Sequence, residues 1–362
     1  MIIIFQNILS SCHISGIVSP VLKKRVSYVI YCILVVIPLL EGLLWMTGYR
    51  PYRYEQFSIV SLPMQNIVAD SVYGLALNPG SFEITINDGL TYRATHNGRF
   101  LRRLIADTGK SDKRLAVFGC SYTYGMGVND DEAFPARLQS INNELVISSY
   151  AVPGYGTVQG FLQLQQLVAK GEKPDIALFN FADFHIDRNS MTPAYRLHLN
   201  VGYQQAMRNE EIAMTASRFP FVRMVNDTLI YQSEKWADLY RNWQGRETFA
   251  LVNLLQTISD RYMTASINAV KNTESLFVDI RKFCDKHQIR LLVAGITRSE
   301  TTSLMLRSLS KHQIESVDIS LPLKQKTYNN LPFDSHPNRK AHRILAEKMN
   351  HYLTSNKKTS GK

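Results

Sequence analysis

Four cysteines in 362 residues, at Cys12, Cys32, Cys120 and Cys284, are too few and too scattered for a disulfide framework, and no spacing among them suits a metal site. They read as free thiols. His-Glu-x-x-His, paired Cys-x-x-Cys, the P-loop and the dinucleotide glycine fingerprint are all missing, so no metal and no nucleotide cofactor is expected. Lys and Arg are not interleaved with aromatics in one stripe, so nothing points to nucleic acid. There is no low-complexity tract and no convincing internal repeat. At 45% hydrophobic and 20% charged residues the composition is that of a globular protein. The net charge of +11 suits an anionic partner, phospholipid headgroups or acidic polysaccharide, but much of it is scattered or lies in tails, which favours a basic surface that is merely solvated.

What is present begins with a membrane signal. Lys23, Lys24 and Arg25 precede an apolar stretch over residues 26–46, about long enough to cross the hydrocarbon core as a helix. Glu41 lies near its far end, where a charge reaches the interface at modest cost, and Pro38 is tolerable in a membrane helix. The basic flank predicts a cytoplasmic tail over residues 1–25, an anchor over 26–48 and the rest of the chain outside the cytoplasm. A cleaved signal peptide competes, but the residues after Leu40 offer no small-x-small cleavage site. Trp45, Tyr49 and Tyr52 suit an interfacial aromatic belt, or are ordinary surface or core residues.

Residues 49–113 are turn-rich, with Asn78-Pro79-Gly80 and Asn97-Gly98 as turns and strand-like alternation over residues 81–86. They are expected to form a β-rich lead-in packed on the main domain. Strand patterns then fall at residues 114–118, 145–152, 174–181, 289–296 and 314–319. Helical patterns fall at 132–141, 157–169, 275–287, 299–312 and 339–353. Such alternation predicts a parallel, doubly wound α/β sheet over residues 114–355, a flavodoxin-like three-layer α/β/α sandwich of five strands. Residues 187–272 interrupt it and are too apolar for a disordered linker. They read as a cap over the site or as a structural side-pack. Residues 356–362 form a polar tail.

Two distant segments carry the chemistry. An apolar run ending at Phe118 breaks into Gly119-Cys120-Ser121, and Asp334-Ser335-His336-Pro337-Asn338 precedes the last helix. They supply a hydroxyl nucleophile, a base and a carboxylate, all expected at the carboxyl ends of parallel strands. Cys120 reads as a thiol packed under the turn, with a nucleophilic role as the alternative. His96, His185 and His342 could line the site; a lone histidine is more often structural.

The segments 118–125, 150–156 and 334–337, with Asn180-Phe181-Ala182-Asp183 as a looser fourth, resemble the blocks of the SGNH (GDSL-like) hydrolase family. The lead-in turns resemble those of its membrane-anchored bacterial members. The resemblance implies Ser121 as nucleophile, His336 as general base and then acid, and Asp334 as its orienting carboxylate. It also implies an oxyanion hole made of the Ser121 and Gly154 backbone N–H groups and an Asn side chain. Ala182 stands at the usual Asn position, so Asn180 could serve only if the strand end bulges. Asp183 and His185, and more weakly Asn189, are further polar groups expected to contact substrate. The expected function is a membrane-anchored serine esterase acting on an O-acyl ester, acetyl foremost, of a cell-envelope glycan or lipid. Its place would be the bacterial inner membrane, with the catalytic domain periplasmic or at the cell surface and envelope polysaccharide machinery as a candidate partner. Acyl transfer to a sugar hydroxyl, or glycan binding without catalysis, are the rival expectations.

Overall fold

The computed structural model describes residues 20–54, 57–98, 100–104, 111–209 and 212–355. Most of the expected tail 1–25, Cys12 and the polar tail 356–362 lie outside them. The chain divides into two compact units. One joins the residues up to Tyr54 with Asn242–Ser259, and the other holds the rest.

In the first unit, α1 (Pro20–Tyr31) passes through a π-helical turn (Cys32–Val36) into α2 (Ile37–Met46). The apolar span Lys24–Met46 has a mean hydropathy of 2.3 with none of it buried, so its side chains face outward along its length. Pro38 lies inside this continuous helix, directly after the π turn, which is the kind of local widening that accommodates a residue with no N–H to donate.

The second unit opens with β1 (Ile59–Leu62), β2 (Ile67–Asp70), β3 (Gly74–Leu77), β4 (Gly80–Ile86), β5 (Leu90–Gly98) and β6 (Leu101–Arg102). Then come β7 (Arg114–Phe118), α3 (Ser121–Tyr124), α4 (Phe134–Ile141), β8 (Val146–Ser149), α5 (Thr157–Ala169) and β9 (Ile176–Phe181). The interruption consists of α6 (His185–Ser190), α7 (Pro193–Arg208), the hairpin β10 (Arg218–Val225) and β11 (Thr228–Lys235), and α8 (Ala250–Ser266), whose first part belongs to the other unit. The chain finishes with α9 (Ala269–Lys286), β12 (Arg290–Thr297), α10 (Glu300–Lys311), β13 (Ser316–Leu321), the short pair β14 (Asn329–Asn330) and β15 (Asp334–Pro337), and α11 (Arg339–Ser355).

The main sheet has nine strands in the order β1-β4-β5-β6-β8-β7-β9-β12-β13. Its last five strands, β8-β7-β9-β12-β13, are parallel, in the doubly wound order expected from the sequence. The central strands β7, β9 and β12 are largely apolar on both faces because helices cover both. Ala116, Phe118, Phe179 and Val293 pack with α5, α9 and α10. Val117, Leu178, Leu292 and Ala294 pack with α4 and α11. The alternation within each strand follows from the period of two.

The lead-in differs from its expectation. Its strands extend the central sheet rather than only packing on it: β6 pairs antiparallel with β8 through Arg102 and Ser149, and β5, β4 and β1 follow outward. Its buried side chains Ile84, Tyr92 and Ala94 share a cluster with Tyr124, Val152 and Tyr155.

Candidate active site

Ser121 opens α3, just past the end of β7, and is 4% exposed. The turn is tight: Gly125 ends α3 at φ +87°, and a Cβ there would come within 2.8 Å of Ala133 Cβ and 3.0 Å of the Arg102 guanidinium. Asp334 and His336 lie on β15. Asn338 then accepts from Lys340 N and Ala341 N at 3.1 Å each, capping α11 and fixing where the segment stops.

The three side chains form one hydrogen-bonded row. His336 Nδ1 is 2.8 and 3.0 Å from the two Asp334 carboxylate oxygens, and His336 Nε2 is 2.9 Å from Ser121 Oγ. A carboxylate only accepts, so Nδ1 carries the proton and Nε2 is left as the acceptor for the Ser121 hydroxyl. Tyr122 sets its ring edge-on to His336 at 5.4 Å, and Phe184 packs edge-on to Tyr122 at 5.1 Å. Burial pushes the Tyr122 phenol up to about 12, so it is a neutral wall. Burial also raises the thiol of Cys120, which is fully buried beneath the turn and so suited to packing rather than attack.

Gly154 occupies the loop after β8 with φ +86°, a conformation that turns its peptide in a way L side chains resist. Three contacts pin this loop. Tyr195 Oη donates to Gly154 O at 2.8 Å, Arg188 Nη1 to Tyr155 O at 2.8 Å, and Tyr155 Oη to Leu75 O at 2.5 Å. The first two come from the interruption and the third from the lead-in. Among the described residues, neither Ser121 N–H nor Gly154 N–H donates a hydrogen bond. Arg188 also lies 4.5 Å over the Phe184 ring and 5.6 Å over that of Tyr195, which holds its charge near Cys120.

Several expected polar groups fall elsewhere. Ile176–Phe181 pairs with β12 in unbroken register, Asn180 opposite Ala294, so the bulge that would free Asn180 does not form. Asn180 is buried on the strand and its amide finds no partner among the described residues. His185 is 1% exposed, edge-on to Phe181 and Phe184, and burial holds it well below the usual imidazole range, so its ring is shut away from solvent. Asp183 is the exception: it is half-buried, its Oδ1 accepts from Phe184 N at 3.1 Å, and its charge acts on the Tyr122 phenol beside His336. Asn189 is spent on structure, accepting from Thr157 N at 2.7 Å and donating to Thr273 Oγ1 at 3.2 Å. His96 bridges Asn78 O and Tyr124 Oη at 2.8 Å each, and burial lowers it to about 4. His342 accepts from Phe134 N at 3.0 Å, and burial lowers it to about 3. Among the described residues no group of three His, Cys, Asp or Glu is placed to hold a metal.

Sequence reasoning missed Arg102. Almost fully buried, it pairs with Asp130 at 2.9 Å and donates to the carbonyls of Tyr124 at 2.6 Å, Gly125 at 2.7 Å and Val128 at 2.7 Å. It ties the lead-in to the turn that presents Ser121. Arg188 and Tyr195 were missed as well, since nothing in residue order says that the interruption returns to the Gly154 loop.

No family model matches the chain, and no curated protein does. Solved structures do. A psychrotrophic esterase from Pseudoalteromonas sp. is 12% identical over 69% of this chain and 100% of its own, with a TM-score of 0.38. A member of the lipolytic G-D-S-L family from Veillonella parvula DSM 2008 is 10% identical over 67% of this chain and 98% of its own, at 0.36. An acetylxylan esterase from Geobacillus stearothermophilus is 10% identical over 67% and 94%, at 0.33.

Proposed function

We propose that this chain is a membrane-anchored serine esterase of SGNH type that hydrolyses an O-acyl ester, such as an acetyl ester, on a cell-envelope glycan or lipid. The observation that carries the reading is the row Asp334–His336–Ser121, closed at 2.8 and 2.9 Å. Ser121 Oγ attacks the ester carbonyl while His336 Nε2 takes its proton. Asp334 stabilises the resulting imidazolium through Nδ1–H. The carbonyl oxygen, now an oxyanion, is received by the unoccupied N–H groups of Ser121 and Gly154; each such donor is worth about 3–4 kcal/mol. Collapse expels the alcohol, which leaves with the proton from His336. Water then attacks the acyl-enzyme with His336 again as base, releasing the acid and the free serine. With Ala182 where an amide is usual, the hole has two backbone donors, and Arg188 adds positive charge nearby.

The span Lys24–Met46 supports a single-pass anchor in the bacterial inner membrane. Its basic N-terminal flank favours an extracytoplasmic, periplasmic or cell-surface, catalytic domain. Envelope polysaccharide machinery would then be a neighbour.

The test is to treat the full chain in detergent with a fluorophosphonate probe and with 4-nitrophenyl acetate, beside Ser121→Ala and His336→Ala. Labelling and cleavage present in the parent and lost in both variants uphold the esterase. Labelling that survives Ser121→Ala refutes the choice of nucleophile. Acylated sugar in place of free acid, when a glycan acceptor is added, would make the same site a transferase. A folded parent that neither labels nor cleaves would favour glycan binding.

A further inference from the structure

Helix α8 is inside out. On a helix that covers a soluble core, the apolar stripe faces in and the polar side faces water. Here the polar side chains face in. Gln256 is 2% exposed and accepts from Trp243 N at 2.8 Å. Asn253 accepts from the buried Arg246 at 3.0 Å and donates to Arg50 O at 3.0 Å. Thr257 meets Tyr49 Oη at 3.5 Å. The outward side carries Leu251, Leu255, Ile258 and Tyr262, at intervals of four, three and four residues, which is one face of a 3.6-residue helix. Leu251 is half-buried, while Leu255, Ile258 and Tyr262 are 47%, 53% and 77% exposed. Exposed Trp243 and Phe249 precede the helix, and exposed Arg261 stands beside the stripe. A row of large apolar side chains about 16 Å long, left in water, is the kind of exposure that marks an interaction surface.

The anchor says what covers it. Glu41 lies inside the apolar span, yet its two carboxylate oxygens accept from Ala250 N at 2.7 Å and Leu251 N at 2.8 Å, the first N–H groups of α8. Trp45 Nε1 adds a third hydrogen bond at 2.8 Å. A helix N-terminus is a natural anion site, which offsets the cost of keeping this charge near the end of the span. The contact also sets a height. Glu41 precedes Met46 by five residues, about 8 Å of helix, so α8 begins at the level of the last turns of the span. At that depth the surroundings are headgroups and the upper acyl chains. An exposed Arg beside an apolar stripe is how helices lying in that layer are built.

Resting on the anchored reading above, we infer that the outward face of α8 lies on the bilayer, with lipid headgroups and upper acyl chains as its partner. Leu251, Leu255 and Ile258 would thereby hold the first unit to the membrane beside the anchor. The 4-3-4 spacing would also suit a second copy of the helix. The Glu41 contact favours lipid, because it places the start of the stripe where lipid is the surrounding medium.

The experiment uses the full chain carrying Cys12→Ser and Cys32→Ser, in which the two remaining thiols are buried. An environment-sensitive dye is placed at Ile258→Cys, at Leu255→Cys and, as a water-exposed control, at Lys311→Cys. The protein is reconstituted in phosphatidylcholine–phosphatidylglycerol vesicles. At 255 and 258 a blue-shifted emission is expected, quenched several-fold more by brominated lipid than by aqueous iodide, with the reverse order at 311. Dyes at 255 and 258 that iodide reaches as freely as the one at 311 would overturn the inference while leaving the anchor standing. So would dyes shielded from iodide yet untouched by brominated lipid, with the shielding lost at one copy per nanodisc, because the occupant would then be a second chain. Release of the protein from vesicles by alkaline carbonate would instead refute the anchor, and the bilayer contact with it.

Discussion

Replacing Arg102 by Met should cost more than any surface change of similar size, and the amount can be worked from its partners. Arg102 is 1% exposed at its side chain and Asp130 is 7% exposed, so the substitution leaves a carboxylate buried with only Thr95 N at 2.9 Å to receive. Removing one partner of such a pair costs about 3–5 kcal/mol, whereas an exposed pair would cost under about 1 kcal/mol. Against a domain stability of about 5–15 kcal/mol this is a large fraction. At about 2–4 °C per kcal/mol for a large domain it corresponds to a fall in Tm of about 6–20 °C, readable by thermal unfolding of the detergent-solubilised chain. Met keeps most of the stem's volume, so the loss is of charge and hydrogen bonds rather than of packing. Activity should fall too, because the carbonyls of Tyr124 and Gly125 lose the donor that holds the Ser121 turn. The double variant Arg102→Met, Asp130→Asn should cost at least about 2 kcal/mol less than the sum of the singles, since no bare charge remains. A single-variant Tm within about 2 °C of the parent, or strict additivity in the cycle, would refute the reasoning.

Asp334→Asn should leave the fold intact and lower kcat by about 10⁴-fold, because Nδ1 loses the acceptor that fixes the tautomer; steady-state ester cleavage checks it. Tyr195→Phe removes the hydroxyl on Gly154 O and should reduce kcat by about 10–100-fold with KM nearly unchanged, through a misplaced oxyanion donor. An equal change in KM, or none in kcat, would count against that placement. Acid should destabilise the protein through buried neutral histidines. His96 and His342 bind protons near 6.5 when unfolded, but only at about 4 and about 3 when folded. The unfolded chain therefore takes up more protons below pH 6.5, and stability falls as pH drops toward those folded values. The loss is about 2 kcal/mol per histidine at pH 5. Denaturation midpoints measured from pH 7 to pH 4 should show this slope, and its absence in His96→Gln/His342→Gln would identify the source.

The parallel strands and the Ser121, Asp334 and His336 positions were legible because each rests on local pattern. Doubly buried strands read as apolar runs, and a Gly-x-Ser turn and an Asp-x-His before a helix announce themselves within a few residues. The lead-in's sheet extension was not legible, because strand addition is made by backbone groups that every residue carries. Arg102 was invisible for a related reason: its carboxylate and the turn carbonyls it holds lie at separations of 22 to 28 residues, and nothing local distinguishes it from the exposed arginines around it. Asn180 shows the opposite error. Its identity invited a role, but the period of the strand and its regular register keep it inside.

That the lead-in and the parallel strands share one sheet also bears on how the catalytic domain can be cut. A protein begun at Arg114, where the sequence pattern places the domain boundary, would bare the flank of β8 as an unpaired edge. It would also uncover Tyr155, Val152 and Tyr124 and take away the guanidinium beneath the nucleophile turn. Open edges of this kind recruit other chains. The smallest soluble form should therefore begin ahead of β1, close behind the apolar span, and a preparation begun at Arg114 should collect as aggregate, even with Ser121, Asp334 and His336 all present.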